Sequence, residues 1–459
     1  MNERNEGIGR LISLALPCPP IGFQKFLSYG AGQARMYWES SQSELAFAGF
    51  GTVVELAGWG EERFQQIAEA AADLFQDAIL LNRLAPPESA PRLFGGFSFR
   101  DDFIPDNTWS YFSPAHFILP HFQLSRIGDQ YWLRLNASIP DDEDISDIEP
   151  ELEQALQARI RDLSSGDWQD HPTQHPPLAA QQVNYPLPYE VWEQTIESAR
   201  RLMQAGQLNK VVLSRIAEIQ FNDTIDIIQA LDYLEKHYAA CYRFLYEPRP
   251  RHAFYGASPE IIINVQGDSF QTMALAGSMK RGQTPAEDQA LGQQLLEDPK
   301  EAYEHQLVID QIEQRLGPLT SQLDIGQTGL YKLSNIQHIY TPIKGRLKKA
   351  NGVLPLLQLL HPTPALGGDP REIAIDLIRH SEPVPRGWYA APVGYLDSQL
   401  DGCFAVAIRS AIAQEKRVWL YAGAGIVQES QPEKEWQETA LKFKPMLEAL
   451  HIQEQVDVH

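Results

Sequence analysis

Two segments of the sequence carry glutamates at spacings that suit metal ligands. In the first, Glu301 and Glu304 are three residues apart, so a helix would place both carboxylates on one face. In the second, Glu435, Glu438 and Lys442 share one face of another amphipathic pattern. Carboxylates from two helices would suit magnesium, which takes oxygen ligands and keeps several waters. Exposed glutamates are so common, however, that on spacing alone two solvated helix faces are the simpler interpretation.

Familiar catalytic motifs are incomplete. Gly423-Ala424-Gly425 begins like a dinucleotide-binding loop, but Gln428 stands where the third glycine is needed. The segment around Ser258 begins like the nucleophile elbow of serine hydrolases, but Glu260 replaces its closing glycine. The sequence also has neither a phosphate-binding P-loop nor an HExxH pair. Hydride-transfer, serine-hydrolase and P-loop chemistry are therefore unsupported.

Composition excludes further classes of protein. The 459 residues carry 38 Lys+Arg against 60 Asp+Glu, a net charge of -22 that argues against nucleic acid as a partner. A small anionic substrate would need locally placed cations or a metal. No apolar stretch approaches the roughly 20 residues of a membrane-spanning helix, so we expect no membrane partner and a cytoplasmic location. The three cysteines are widely separated, which supports neither a zinc site nor disulfides.

The elements that would position these residues follow an α+β pattern. Residues 1–185 read as a β-rich part that ends in a linker rich in Pro and Gln, and residues 186–459 as a second part of mixed strands and helices. Helices over 302–316 and 431–450 would carry most of the glutamates. A strand over 210–219 would begin at Lys210, and one near 404–412 would carry Arg409.

Taken together, seven segments of the second part resemble the chorismate-utilising enzymes, the family of isochorismate, salicylate, anthranilate and aminodeoxychorismate synthases. The resemblance is close over about residues 185–450, and residues 94–99 extend it loosely. It implies a fold of large antiparallel sheets packed with helices in an α/β sandwich, with both parts forming one integrated unit. The segments are Lys210–Arg215, Gly256–Glu260, Leu275–Ser278, Lys300–His305, His361–Gly368, Phe404–Ser410 and Gly423–Lys442.

The resemblance also assigns two catalytic roles. In family members that add water to the ring, a lysine stands at the position of Lys210, where it would take the proton of the attacking water. The ammonia-using members typically hold glutamine there. Glu260 matches the family's general acid, which protonates the hydroxyl that leaves ring carbon C4. A glutamate that stays neutral near pH 7 needs a pKa raised by burial or by acidic neighbours.

The family places a magnesium ion between the two glutamate segments, which favours metal ligands over solvated faces. The resemblance implies Mg²⁺ as the cofactor, with Glu304 and Glu438 as the leading ligands and Glu301 and Glu435 adjacent. It implies that Tyr389 and Arg409 hold the enolpyruvyl carboxylate of the substrate. The other substrate-binding positions that it implies are Ala276, Gly277, Ser278, His338, Thr363, Gly423 and Lys442.

These assignments predict a magnesium-dependent isochorismate synthase that acts on chorismate as a monomer or weak homodimer. Its product would feed menaquinone, phylloquinone or siderophore synthesis. Salicylate synthase is the closest alternative, followed by component I of an anthranilate or aminodeoxychorismate synthase. Lys344, in the segment 341–345, resembles a covalently acting lysine of the aminodeoxychorismate synthases and would favour that alternative if it entered the pocket. A non-catalytic, chorismate-binding regulatory protein is the alternative outside enzymes.

Overall fold

The computed structural model describes residues 9–40, 45–81, 84–140, 143–165 and 180–452. Most of the predicted linker, residues 166–179, lies outside these ranges. The helices are α1 (Phe23–Tyr29), α2 (Arg63–Gln76), α3 (Ile145–Ser164), α4 (Tyr189–Gln204), α5 (Ile227–His237), α6 (Pro285–Glu297), α7 (Pro299–Leu316), α8 (Leu354–Leu360), α9 (Arg371–Ser381) and α10 (Pro432–Ala449).

The strands are more numerous and alternate with these helices without a fixed period. They are β1 (Arg10–Cys18), β2 (Arg35–Ser40), β3 (Leu45–Phe50), β4 (Val54–Gly58), β5 (Ile79–Leu81), β6 (Arg92–Phe97), β7 (Ala115–Leu119), β8 (Phe122–Ile127), β9 (Gln130–Ile139), β10 (Ala180–Asn184), β11 (Lys210–Phe221), β12 (Tyr242–Arg249), β13 (His252–Ser258), β14 (Ile261–Gln266), β15 (Ser269–Lys280), β16 (Thr320–Ile325), β17 (Gly329–Lys332), β18 (Ile336–Leu347), β19 (Gly368–Asp369), β20 (Pro392–Asp397), β21 (Gly402–Val406), β22 (Ser410–Gln414) and β23 (Arg417–Ile426). Two short 3₁₀ helices, Pro87–Ser89 and Gly317–Leu319, complete the described elements.

Two large sheets organise these strands. The first has 13 strands in the order β10-β11-β23-β22-β13-β12-β2-β3-β8-β9-β1-β5, with β19 beside β11. The second has 10 strands in the order β16-β18-β15-β14-β21-β20-β6-β7-β4, with β17 beside β18. Among the described strands, only β1 and β5 pair in parallel. The predicted α+β fold of large antiparallel sheets packed with helices is therefore confirmed.

Both sheets draw strands from both parts of the chain. In the first sheet β2 pairs with β12, with Trp38 opposite Phe244. In the second sheet β6 pairs with β20, with Phe94 opposite Tyr395. Since each of these pairings joins an early strand to a late one, no sheet belongs to one part alone.

The alternation of side chains along β2 shows how the layers pack. Trp38 belongs to the core between the sheets, whereas Tyr37 faces a second core that contains residues of α1 and α5. Aromatic contacts join the sheets directly, because the rings of Phe47 and Tyr395 meet edge to face with centroids 4.7 Å apart. The Phe47 ring also meets Phe94 at 4.8 Å. This packing fixes the relative position of the strands that carry the predicted site.

The prediction of a single strand near residues 404–412 is wrong, because two strands of different sheets lie there. The chain leaves β21 in the second sheet and enters β22 in the first, so residues 407–409 cross between the sheets. Arg409 lies in this crossing with a φ of 50°, a left-handed conformation that is uncommon outside glycine. The segment contains no Gly or Pro to mark a break, so its apolar run reads as one continuous strand.

Two other expectations can be compared with the described residues. Cys18, Cys241 and Cys403 are all free thiols, in agreement with the predicted absence of disulfides. No described helix is both long enough and apolar enough to cross a membrane.

Candidate active site

A pocket of about 700 Å³, measured with its open mouth, brings together most of the predicted site residues. Its walls come from β11, β15, β18 and β23, from α7 and α10, and from the crossing between β21 and β22. The predicted residues that line it are Glu260, Ala276, Gly277, Ser278, Glu304, His338, Tyr389, Arg409, Gly423, Glu438 and Lys442. Lys210, Thr363, Glu301 and Glu435 do not line it.

Glu260 lies between β13 and β14 and lines the pocket. Its backbone is held at both ends, since its N–H donates to Ser258 Oγ at 3.2 Å and its carbonyl accepts from Val406 N at 3.0 Å. Burial raises the pKa of Glu260 to about 8, although the positive charges of Lys210, Lys442 and Arg409 act to lower it. The carboxyl group therefore keeps its proton at neutral pH.

Lys210 is the first residue of β11 and is fully buried. Its Nζ donates to Glu304 Oε1 at 2.6 Å, so it lies directly behind a carboxylate of the pocket wall. Burial acts to raise the pKa of Glu304, but Lys210, Lys300 and Lys442 outweigh it, and the net pKa is lowered. Glu304 is accordingly an anion, and the pair is a buried, charge-assisted contact.

A β-bulge shapes the wall opposite α7. The pairing of β15 with β18 shifts between Ala276 and Ser278, and Gly277 takes a φ of 77°. The Gly277 carbonyl lies 3.1 Å from His338 Nδ1, and His338 Nε2 lies 3.4 Å from Arg409 Nη2. Burial and then the charge of Arg409 hold the pKa of His338 well below its usual value. A neutral ring with its proton on Nδ1 satisfies both contacts, because Nε2 can then accept from Arg409.

The opposite wall carries a tyrosine and a lysine. The Tyr389 ring stacks on Tyr421 with centroids 5.0 Å apart, and burial raises the pKa of Tyr389 to about 12. Its hydroxyl is therefore neutral and can donate a hydrogen bond. Lys442 Nζ donates to the Gly423 carbonyl at 2.8 Å and pairs with Glu438 Oε1 at 2.5 Å.

Four glutamates lie in the first two turns of α7 and α10, where the two helices approach each other. Lys300 Nζ lies between two of them, 2.9 Å from Glu435 Oε1 and 3.4 Å from Glu301 Oε1. Burial, and then the nearby charge of Glu304, raise the pKa of Glu301 to about 7. Glu301 is thus a buried carboxyl group beside another carboxylate, and Lys300 only partly offsets both effects on its pKa.

This donor set fits a magnesium ion in its chemistry. Carboxylate oxygens are the ligands that Mg²⁺ prefers, and a divalent cation would favour the charged form of Glu301, whose pKa is raised by burial and then by Glu304. As the side chains stand, no three acidic, His or Cys groups within the described ranges are arranged to hold a metal ion. The carboxylates face the ammonium groups of Lys210, Lys300 and Lys442 instead. To bind a metal, the carboxylates of Glu304 and Glu438 would therefore have to contact the ion as well as their lysines, or move away from those lysines.

Two residues singled out in the sequence, Thr363 and Lys344, do not line the pocket. Thr363 shares a small apolar cavity with Glu260 behind the main pocket, and its buried Oγ1 has no hydrogen-bond partner among the described residues. Lys344 is an exposed residue of β18, opposite Gln271, and is not on the pocket wall. The condition under which Lys344 would favour an aminodeoxychorismate synthase is therefore not met in this structure.

Sequence reasoning missed several residues of the site. Gly425 is one, since a Cβ there would lie 2.5 Å from Glu304 Oε1. Lys300 is another, although it stands next to a predicted ligand in the sequence. The glycine pair Gly423 and Gly425 and the lysine are visible in the sequence. Only the fold shows which side chains they contact. The uncharged wall residues that were also missed are Val212, Pro259, Leu275, Ala365, Leu366, Ala390, Ile408, Tyr421 and Ala422.

Comparison with known proteins shows the family of the chain. The family model described as "chorismate binding enzyme" matches residues 2–451. The chain belongs to the chorismate-binding enzyme family. Within it, the chain is 38% identical over 419 residues to the salicylate biosynthesis isochorismate synthase of Pseudomonas aeruginosa, covering 90% of this chain and 84% of that protein.

Two further family members match almost their full length. The isochorismate synthase MenF of Bacillus subtilis is 34% identical over 450 residues, covering 96% of this chain and 93% of that protein. The structure of the menaquinone-specific isochorismate synthase MenF of Escherichia coli superimposes with a TM-score of 0.79 at 27% identity, covering 97% of this chain and 96% of that one. The match thus includes the N-terminal strands as well as the site.

Proposed function

We propose that the chain is an isochorismate synthase, which converts chorismate to isochorismate by adding water at C2 of the ring and losing the hydroxyl from C4. The observation that carries this proposal is the combination of Glu260, which keeps its proton at neutral pH, with the buried Lys210 beside the same pocket. The similarity to isochorismate synthases of Pseudomonas aeruginosa and Bacillus subtilis supports the same reaction.

In the proposed reaction, two residues transfer protons. Glu260 delivers its proton to the C4 hydroxyl, which is a poor leaving group unless it is protonated. Lys210, whose ammonium group pairs with Glu304 in this structure, must first lose its proton, and its amine then takes a proton from the water that attacks C2. The two residues thus act as acid and base on one substrate.

Cations on the pocket wall would receive the two carboxylates of chorismate. Arg409 is buried, and its guanidinium reaches the pocket beside His338, which is neutral and does not repel a carboxylate. Lys442 and the neutral hydroxyl of Tyr389 add donors from the opposite wall. These groups give an overall acidic protein a local site for a dianion.

We also propose that Mg²⁺ is the cofactor, with Glu304 and Glu438 as the leading ligands and Glu301 and Glu435 adjacent. When bound, the metal would hold the ring carboxylate and draw electron density from the conjugated ring. Glu304 and Glu438 suit this task because both line the pocket, where substrate would meet the metal.

A product assay tests the proposed activity. The purified protein is incubated with chorismate and Mg²⁺ in the absence of ammonia, and the products are separated by chromatography. Isochorismate as the single product is expected, and no turnover would rule out the proposal. Lys210→Ala should abolish water addition while chorismate binding, followed by calorimetry, remains measurable. Retained turnover in this variant would remove Lys210 from its role.

The alternative functions predict other outcomes of the same assay. A salicylate synthase would release salicylate and pyruvate, since it continues from isochorismate. An anthranilate or aminodeoxychorismate synthase would need ammonia, and the exposed position of Lys344 removes the one feature that favoured the second of these. A regulatory chorismate-binding protein would bind chorismate without turnover.

The cellular setting is a further part of the proposal. We expect the product to enter menaquinone, phylloquinone or siderophore synthesis in the cytoplasm. Restored menaquinone in a bacterial strain that lacks its own menaquinone-specific isochorismate synthase would support the first of these pathways. The expected oligomeric state, a monomer or weak homodimer, can be checked by analytical ultracentrifugation.

A further inference from the structure

The four glutamates between α7 and α10 are not equivalent. Glu304 and Glu438 line the pocket, and each pairs with a lysine, Lys210 or Lys442. Glu301 and Glu435 do not line the pocket, and both lie next to the single ammonium group of Lys300. The structure thus divides the carboxylates into a pocket pair, Glu304 and Glu438, and a lysine-bridged pair, Glu301 and Glu435.

Local structure holds Lys300 in this position. It stands in the first turn of α7, where Asp298 Oδ1 accepts from the backbone N–H of Lys300 at 2.9 Å and of Glu301 at 3.2 Å. Glu435 is only 1% exposed, and Lys300 is the only cation within ion-pair distance of it in the described part of the chain. A buried carboxylate with one cationic partner is strongly tied to that partner, because separation would leave its charge uncompensated.

The three lysines differ in what else they can do. Lys442 also donates to the Gly423 carbonyl, and in the proposed reaction Lys210 and Lys442 act on water and substrate. Because these two lysines have other interactions, Glu304 and Glu438 can exchange them for another cation. Lys300 does not line the pocket, and its side chain contacts no acceptor besides the two glutamates among the described residues.

We propose that Lys300 is a resident cation that keeps Glu301 and Glu435 out of the inner coordination shell of the metal. Glu304 and Glu438 would then hold the ion, which suits the preference of Mg²⁺ for one or two carboxylates and several waters. A metal ligated by Glu301 or Glu435 would lie close to the Lys300 ammonium and be repelled by it. Lys300 is thus a positioning residue for the metal, an inference that rests on the proposed magnesium site.

A double-mutant cycle on metal binding tests the proposal directly. Mg²⁺ is titrated by calorimetry into wild type, Lys300→Met, Glu435→Gln and the double variant, without substrate. With Lys300 present, E435Q should weaken Mg²⁺ binding by less than about threefold, because Glu435 is not a ligand. K300M should bind Mg²⁺ roughly tenfold more tightly than wild type, because the repelling charge is gone. Adding E435Q to K300M should then lower the Mg²⁺ affinity by about tenfold, because Glu435 has become a ligand. Equal effects of E435Q in both backgrounds would overturn the proposal.

Bound Mn²⁺ provides a second measurement that does not depend on activity. The relaxation of water protons reports how many waters the metal keeps, and K300M should hold fewer than wild type because carboxylates replace them. Lys434→Met is the matched control, since it removes one positive charge from an exposed neighbour of Glu435. It should leave the Mn²⁺ hydration unchanged. An equal loss of water in K434M and K300M would show a general charge effect and contradict the proposal.

Two further variants separate the possible failures. Lys300→Arg keeps the charge and should bind Mg²⁺ like wild type. If K300M does not fold, E435Q alone decides, since a loss of tenfold or more would make Glu435 a direct ligand and overturn the proposal. If wild type binds no Mg²⁺, the magnesium site itself is refuted. If wild type binds Mg²⁺ and the effects of K300M and E435Q on affinity simply add, only the role of Lys300 is refuted.

Discussion

At the scale of single residues, the site works by giving similar groups different charges. Glu260 and Glu304 are both buried beside Lys210, yet only Glu304 accepts a hydrogen bond from it. The pKa of Glu260 rises to about 8 because burial dominates, whereas the pKa of Glu304 falls because its lysine contacts dominate. One carboxyl group is thereby suited to donate a proton and the other to hold a cation.

Glu260→Gln tests the proton donor. The amide keeps the shape of the side chain but cannot deliver a proton, so kcat should fall by about 10²-fold or more, in the range of general acid catalysis. Chorismate affinity should change little, as measured by calorimetry. Glu197→Gln on the exposed face of α4 is the control and should leave kcat unchanged. A variant E260Q with near-normal turnover would exclude Glu260 as the acid.

The pH dependence follows from the same group. Glu260 holds its proton below its raised pKa and loses it as the pH rises through about 8. The value of kcat/KM in wild type should therefore fall on the alkaline side near pH 8, because the acid form disappears. The residual activity of E260Q should lack this alkaline limb. An unchanged limb in E260Q would assign it to another group.

At the scale of elements, glycines in β23 and β15 let the helix α7 approach these strands closely. On β23, a Cβ at position 425 would lie 2.5 Å from Glu304 Oε1, so the glutamate of α7 occupies the space that a side chain would fill. Gly425 thus allows the close approach of α7 to β23. Gly277 does the same on β15, where a Cβ would lie 3.0 Å from Glu301 Oε2.

Gly425→Ala should therefore weaken the metal site without unfolding the protein. The new methyl group would push the Glu304 carboxylate away, and we expect Mg²⁺ affinity to fall by about tenfold, with circular dichroism unchanged. Gly329→Ala is the matched control, because no atom lies within 4 Å of a Cβ at that position. Wild-type Mg²⁺ affinity in G425A would show that Glu304 does not depend on the close approach of β23.

Metal binding should also join α7 to α10 more firmly. Since the ion would bind only the folded site, Mg²⁺ at one hundred times its Kd should stabilise the protein by about 2.7 kcal/mol. Chemical denaturation with and without Mg²⁺ measures this difference. In Glu304→Gln the increment should largely vanish. An equal increment in that variant would indicate that the stabilising ion binds elsewhere.

At the scale of the whole molecule, the two parts of the chain share both sheets. We propose that they unfold as one unit, because β2–β12 and β6–β20 pairings would leave long open edges if the parts separated. Urea unfolding followed by tryptophan fluorescence and by far-ultraviolet circular dichroism should give coincident transitions. A fragment of residues 186–459 should be aggregated or unfolded. A soluble fragment with native circular dichroism would refute the proposal.

The sequence predicted well what depends on local pattern. The helix predicted over 431–450 matches α10 to within a residue at each end, and the strand predicted over 210–219 matches β11, which continues for two more residues. The crossing at Arg409 was missed because its backbone conformation leaves no mark in an apolar run. The contacts between Lys210 and Glu304, 94 residues apart, and between Lys300 and Glu435, 135 apart, depend on sheet packing and cannot follow from spacing.

The position of α10 along the chain has a consequence for synthesis. Because the ribosome makes about 5–20 residues each second from the N-terminus, strands from both sheets emerge well before residues 432–449. Glu435, Glu438 and Lys442 all arrive with this helix, so a growing chain holds an unfinished cluster of lysines and glutamates until then. A nascent protein stopped before residue 432 would lack half of the acidic ligand set. Binding of the proposed Mg²⁺ would thereby be postponed until translation has passed this point.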